Sequence, residues 1–305
     1  MKLPEDMAEI ARVEGLRGSV LQKFLTAHQK KFSLAGFLFT MFPAIRDRAL
    51  QDPRFMFKLG VEVWGDVALS VASEANSRNE SFLDEAEFFV SDVLATVVLN
   101  ATVLTMLSPA ATLGRSPGGG MSLALKSRVG GRLNGFLRAL CNRVPTTMPA
   151  SVFAVAPTGV APYSLQMRAV SLILQGARVG ALSAGVGLAG QGAANFVCGL
   201  RRRYAPDGYD AAYADTVSPH APPLIEPAIE WGAFMGTSGN LRQHLIIGVE
   251  RALEGSALGT KLLKFASPLG SLAMRVGNNV WGGEQFAKRM RAMEDDVASR
   301  YGYYD

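Results

Sequence analysis

Apolar positions along this chain recur mostly at helical spacing, and the strict alternation that makes a half-buried strand is missing. Small and straight-chain residues, which form helices well, dominate. The pattern predicts an all-α chain. Residues 1–50 read as short amphipathic helices suited to an interface, punctuated by Pro43 and the Asp52-Pro53 step. Arg54 to Ser73 is the next helical stretch. Within it Arg54, Lys58, Glu62 and Asp66 stand four residues apart, which places them on one face and lets Lys58 pair with Glu62. The polar run Glu74–Glu87 reads as an exposed connection or an interfacial helix.

Two later stretches approach the ~20 apolar residues that cross a bilayer. Phe88–Ser108 is charge-free from Val93 to Leu107 and carries Asp92 and Asn100. Val179–Leu200 has no charge at all and ends on Arg201-Arg202-Arg203, as at a headgroup boundary. It presents small residues four apart at Ala181, Gly185, Ala189 and Ala193, and a second row at Gly176, Gly180 and Ala184. Such rows let membrane helices approach closely, so Gly180, Gly185, Ala189 and Ala193 are packing positions on this reading. Beyond them, Leu224–Gly239 and Leu241–Leu253 read as helices separated by a break at Gly236-Thr237-Ser238-Gly239-Asn240. The last apolar stretch, Leu262–Trp281, is interrupted by Lys264, Pro268, Arg275, Asn278 and Asn279. The predicted architecture is a polytopic helical membrane protein with interfacial amphipathic helices. It is organised as interfacial helices over 1–50, a membrane helical domain over 51–286 with a basic loop at 109–167, and a polar tail over 287–305.

Composition agrees with that class. The chain is 49% hydrophobic and 19% charged, with mean hydropathy +0.16 and 32 Gly, which excludes a disordered protein. Two Cys and three His exclude a disulfide scaffold and make a zinc site unexpected. The net charge of +5 is unevenly spread: no Asp or Glu lies between Asp92 and Asp207, where eleven Arg and Lys residues fall. An acid-free basic tract between apolar segments suits anionic lipid headgroups. Nucleic acid is not expected as a partner, because no aromatic or motif pattern of a DNA or RNA module accompanies the tract. The opening Met1-Lys2-Leu3-Pro4-Glu5-Asp6 has neither the apolar run of a secretory signal nor the composition of a transit peptide, and is not expected to be a targeting segment. Gly185-Val186-Gly187-Leu188-Ala189-Gly190 spells a dinucleotide fingerprint, but no strand precedes it and it sits within a helix, so no nucleotide is expected. No nucleophile elbow, Walker A motif or H-E-x-x-H occurs. Neither an enzyme, a cofactor nor a metal is expected.

Several blocks carry a family resemblance. They include Leu3-Pro4-Glu5-Asp6-Met7, Asp52-Pro53-Arg54-Phe55-Met56-Phe57-Lys58-Leu59-Gly60 with Glu62 and Asp66, and Gly187 to Asn195. The densest are Trp231-Gly232-Ala233-Phe234-Met235-Gly236-Thr237-Ser238-Gly239-Asn240-Leu241-Arg242-Gln243, Gly248 to Gly255, and Arg275-Val276-Gly277-Asn278-Asn279-Val280-Trp281-Gly282-Gly283-Glu284-Gln285-Phe286. In these the chain resembles the RETICULATA-related proteins, chloroplast envelope proteins of plants and algae. The resemblance implies a multi-pass protein of the plastid inner envelope. It also implies a part in leaf development and plastid metabolism through movement of metabolites such as amino acids, basic ones in particular.

Ionisable groups inside apolar segments are costly, so they mark a pathway or pair with one another. The candidate substrate-binding residues are Glu62, Asp66, Asp92, Asn100, Arg275, Asn278 and Asn279. The acids would neutralise a cationic side chain, and Arg275 or Arg178 would meet a carboxylate. Lys58, Glu250, Arg251 and Arg242 are expected in structural polar pairs. The expected partners are anionic lipid headgroups and a small-molecule substrate, and a homo-oligomer is compatible with the reading. The alternative function is a non-transporting envelope scaffold that recruits partners.

Overall fold

The computed structural model describes residues 3–13, 15–28, 34–78, 86–114, 148–156, 161–204, 224–255 and 261–301. Most of the predicted basic loop, including Leu133–Leu140, and the loop after Tyr204 lie outside the described residues. The described residues are overwhelmingly helical and hold no strand. They divide into two compact units that interleave along the chain. The first is Met1–Gly60, Thr102–Ile173 and Ile247–Arg251. The second is Val61–Ala101, Leu174–Ile246 and Ala252–Asp305.

The first unit holds α1 (Glu5–Val13), α2 (Gly18–His28), α3 (Leu34–Met41) and α4 (Pro43–Gln51). Glu5 and Asp6 occupy the first turn of α1, where the helix dipole favours acids. Gly15, just past the end of α1, has φ 74°, a left-handed conformation that Gly adopts without strain. Pro43 opens α4, a position where its missing N–H costs nothing. Met7, Ile10, Val20, Phe24, Leu50 and Leu113 form the apolar core of this unit.

Fully buried Arg46 ties α4 to α1, donating from Nη1 and Nη2 to the Asp6 carboxylate at 3.0 and 2.6 Å, and also bonding Asp47. Burial opposes the charge on Arg46, but Asp47 and Asp6 outweigh it and hold the guanidinium above its usual range. Asp52 ends α4 and accepts a bond from the Arg54 N–H at 2.8 Å, which turns the chain into the next helix.

That helix, α5 (Phe55–Arg78), begins in the first unit and continues in the second. Lys58 pairs with Asp52 at 2.9 Å and Glu250 at 3.5 Å, while Glu62 turns to Arg275. The expected Lys58–Glu62 pair therefore gives way to tertiary partners, because both side chains are buried, where a charge needs a closely placed counter-charge and these come from distant parts of the chain.

In the second unit two helices, Leu165–Tyr204 and Lys261–Tyr301, run far beyond the apolar stretches that suggested them. Among the described residues the unit is built, beyond α5, on α6 (Ala86–Leu107), α7 (Leu165–Tyr204), α8 (Ile225–Phe234), α9 (Asn240–Gly255) and α10 (Lys261–Tyr301), of which α6, α7 and α9 also lend residues to the first unit. The predicted break at Gly236–Asn240 is instead a π-helical turn, Met235–Gly239. The backbone keeps right-handed helical angles through Met235 and Asn240, so α8, the turn and α9 are continuous. Pro268 lies within α10, and the expected polar tail from 287 is the same helix carried on to Tyr301.

The second small-residue row of α7 is the one that packs. A Cβ added at Gly176 would lie 2.6 Å from the Gly236 carbonyl oxygen, and one at Gly180 would lie 2.9 Å from that of Gly232. Gly185, Ala189 and Ala193 face outward, and nothing lies within 4 Å of a Cβ built at Gly185.

Among the described residues, two segments are long and apolar enough to cross a membrane. Phe89–Leu107 has mean hydropathy 1.8 and is 44% buried, and Leu165–Val197 has mean hydropathy 1.4 and is 22% buried. The second leaves large side chains such as Leu165, Ile173 and Phe196 in the open.

Candidate functional site

A buried polar cluster lies wholly within the second unit and draws on α5, α6, α9 and α10. Glu62 and Asp66 are four residues apart on α5, as Arg275 and Asn279 are on α10, so each pair shares a helix face. The two faces meet in two rungs. Arg275 Nη1 bonds Glu62 Oε1 in an ion pair whose two side chains are both fully buried. Asn279 Nδ2 donates to Asp66 Oδ1 at 3.0 Å and reaches Glu62 Oε2 at 3.4 Å. Each rung joins residues 213 apart, so the helices run in the same direction where they meet. From α6, Asn100 Nδ2 donates to both oxygens of Asp66, at 2.9 and 3.0 Å.

The network continues toward the π turn. Asn278 Nδ2 donates to Asn279 Oδ1 at 3.1 Å, and Arg242 Nε donates to Asn278 Oδ1 at 2.8 Å. Arg242 Nη1 donates to Ser238 Oγ, inside the turn, at 2.6 Å. Its guanidinium carbon lies 5.0 Å from the centroid of the Phe234 ring and 5.0 Å from that of Trp281, a geometry that favours a cation. Gly282 leaves the space this group needs, since a Cβ there would come within 2.8 Å of Arg242 Nη2.

Beside the network opens a cleft of about 1190 Å³ whose lining includes the acids Asp66 and Asp92, the amide Asn100 and the cations Arg242, Lys288 and Arg291. Asp66 belongs to α5, outside both candidate spans. Burial, with Glu62 adding to it, pushes its carboxyl up to about 8 against the opposing Asn100 bond. Among the described residues no group of His, Cys, Asp and Glu has the arrangement to hold a metal ion.

The RETICULATA-like family, described as Protein RETICULATA-related, matches residues 47–249. The chain is also similar to Protein RETICULATA-RELATED 1, chloroplastic, of Arabidopsis thaliana. The two are 32% identical over 93% of this chain and 60% of that protein. The chain belongs to the RETICULATA-related family. Protein RETICULATA, chloroplastic, of the same plant is 31% identical over 93% of this chain and 60% of its own length. Protein RETICULATA-RELATED 4, chloroplastic, is 28% identical over 92% and 65%. This RETICULATA-related chain thus spans about 60% of the length of the first two of these relatives. The names of the relatives support a chloroplast location. No solved structure matches it.

In this RETICULATA-related chain, six of the seven residues singled out from the sequence join one network: Glu62, Asp66, Asn100, Arg275, Asn278 and Asn279. The seventh, Asp92, is exposed and lines the cleft. Glu62 and Arg275 stand behind the cleft wall and do not line it. Arg178 bonds Gln175 at 2.9 Å and lies off the cleft. Of the residues expected in polar pairs, Lys58 and Glu250 meet each other, Arg251 Nη1 donates to the Phe153 carbonyl at 2.9 Å, and Arg242 reaches the cleft. Sequence reasoning missed Ser238, Phe234 and Trp281 as the holders of Arg242. The available signal was their position in the dense blocks Trp231–Gln243 and Arg275–Phe286.

Proposed function

We propose that this chain is a multi-pass protein of the chloroplast inner envelope that moves small amino-acid metabolites, basic ones among them. The observation that carries the reading is the polarity of the cleft: carboxyls of Asp66 and Asp92 line it together with the cations Arg242, Lys288 and Arg291, and of these Arg242 is held in place by Phe234 and Trp281. A basic amino acid offers the complement, a cationic side chain for the acids and a carboxylate for the arginine. Arg242 takes the carboxylate-binding role on this reading, because Arg275 is fully buried against Glu62. The uncovered apolar surface of α7 supports a lipid setting, since soluble monomers rarely expose contiguous apolar patches of more than a few hundred Å².

The test is flux. Purified protein in liposomes is expected to carry labelled lysine, arginine or ornithine down a gradient, saturably and above protein-free vesicles. If none of the three moves, the basic amino-acid reading fails.

A further inference from the structure

Building on that transport reading, we propose that Asp66 is a proton-exchange position of the cleft. It is neutral while no cation is bound, and it gives its proton to water when the cationic group of a solute moves against it. The argument begins with charge balance. Two carboxylates and one guanidinium are buried together here, with Glu62, Asp66 and Arg275 at 0%, 3% and 0% exposure. Arg275 is committed to Glu62. Among the described residues, the hydrogen-bond partners of Asp66 are two neutral amides, Asn100 of α6 and Asn279 of α10.

A buried carboxylate with no cation of its own is costly, and the ordinary escape is to take up a proton. The charged groups around Asp66 do not change this. Glu62 on its own helix is an acid, Arg275 on α10 pairs with Glu62, and Asp92 farther along α6 is a second acid on the cleft. Of the cations on the cleft, Arg242 of α9 bonds Asn278 and Ser238, and Lys288 and Arg291 of α10 are exposed; none of the three hydrogen-bonds Asp66. The upward displacement of the Asp66 carboxyl to about 8 agrees with a proton held at neutral pH.

The exchange balances in charge and atoms. With the cleft empty, Glu62 is negative, Arg275 positive and Asp66 neutral. With a cation bound, the Asp66 O–H bond has broken, the proton has gone to water, and the solute's positive charge has taken its place. The cluster is electroneutral in both states, so neither leaves an uncompensated charge in a buried site. Asp66 Oδ1 accepts from both amides, whereas Oδ2 accepts only the longer Asn100 bond and is the oxygen left to carry the proton. Asp66 lines the cleft while Glu62 does not, so Asp66 is the member of the cluster that a solute can meet.

Infrared spectroscopy of the full chain in lipid nanodiscs tests this. The wild type is expected to show the carbonyl stretch of a protonated carboxyl at pH 6, disappearing with a midpoint near pH 8. The band should be missing in Asp66→Asn, or shifted in Asp66→Glu if the first variant does not fold. At pH 7, saturating lysine should remove the wild-type band and release about one proton per lysine bound. Absence of the band at pH 6 overturns the proposal whatever the flux measurement gives. A band that persists while lysine is bound and carried overturns it and leaves the transport reading standing. A band present at pH 6 with lysine neither bound nor carried removes the transport reading, and the exchange built on it falls with it.

Discussion

Glu62 and Arg275 are each fully buried, so the effect of changing one depends on what happens to the other. Arg275→Met leaves the Glu62 carboxylate in the interior without its cation, and breaking a buried pair from one side costs about 3–5 kcal/mol. Replacing both, with Glu62→Leu beside Arg275→Met, removes the stranded charge and should restore most of the loss. Thermal unfolding of the single and double variants beside the wild type in detergent checks this. A double variant as unstable as the single one would mean that the pair does more than neutralise itself. The spacing of four residues made legible that Glu62 and Asp66 share one face, and that Arg275 and Asn279 share another. It could not say that these faces meet, because the rungs join residues 213 apart and helical periodicity carries no information about partners. The same blindness paired Glu62 with Lys58, its neighbour on the helix, when Lys58 turns to Asp52 and Glu250.

Gly176 and Gly180 on α7 face Gly236 and Gly232 so closely that each carbonyl oxygen occupies the place of the other's missing Cβ. Gly236→Ala would set a Cβ 2.8 Å from the Gly176 carbonyl oxygen and 3.1 Å from the Gly180 Cα, both backbone atoms that cannot move aside as a side chain would. Overpacking of this kind costs about 1–3 kcal/mol. Gly185→Ala meets nothing within 4 Å and should gain up to ~1 kcal/mol from helix propensity. Opposite signs in the two melting shifts are expected, and equal shifts would sink the close-approach account. The sequence displayed both small-residue rows of α7 but not which one has a partner. The selecting feature lies elsewhere in the chain, in Gly232 and Gly236, which are also four apart. The π turn escaped prediction for a related reason. Gly236, Thr237, Ser238 and Gly239 are poor helix formers, and propensity alone reads them as a break. Packing against α7 and the Arg242–Ser238 bond accompany a helix that continues through them.

At the scale of the whole molecule the all-α class was legible from periodicity, whereas the interleaving of the two units was not, because long helices such as α5 and α7 contribute to both. The apolar surface nonetheless states a requirement. Leu165–Val197 contains 33 residues, about 50 Å of helix at 1.5 Å per residue, against a hydrocarbon core of ~30 Å. Only 22% of it is buried by the rest of the chain, which leaves Ile173 at 72% exposure and Phe196 at 67%. In water such a surface would drive aggregation, whereas in lipid it needs no further cover. The chain is therefore expected to pellet with membranes and to resist extraction by alkaline carbonate. A charge placed on that surface separates lipid contact from contact with a soluble partner. Ile173→Asp should weaken membrane retention, since a charged side chain on the lipid-facing surface of a span is costly, with about 2.5–3.5 kcal/mol as the upper bound reached at the helix centre. The same change should leave the Glu62–Arg275 and Asp66–Asn279 rungs intact, as Ile173 is 72% exposed and is a partner in neither. If wild-type protein is instead released by carbonate in soluble form, α7 is not a span. Its apolar face must then be covered by another protein, and the case for transport loses its setting.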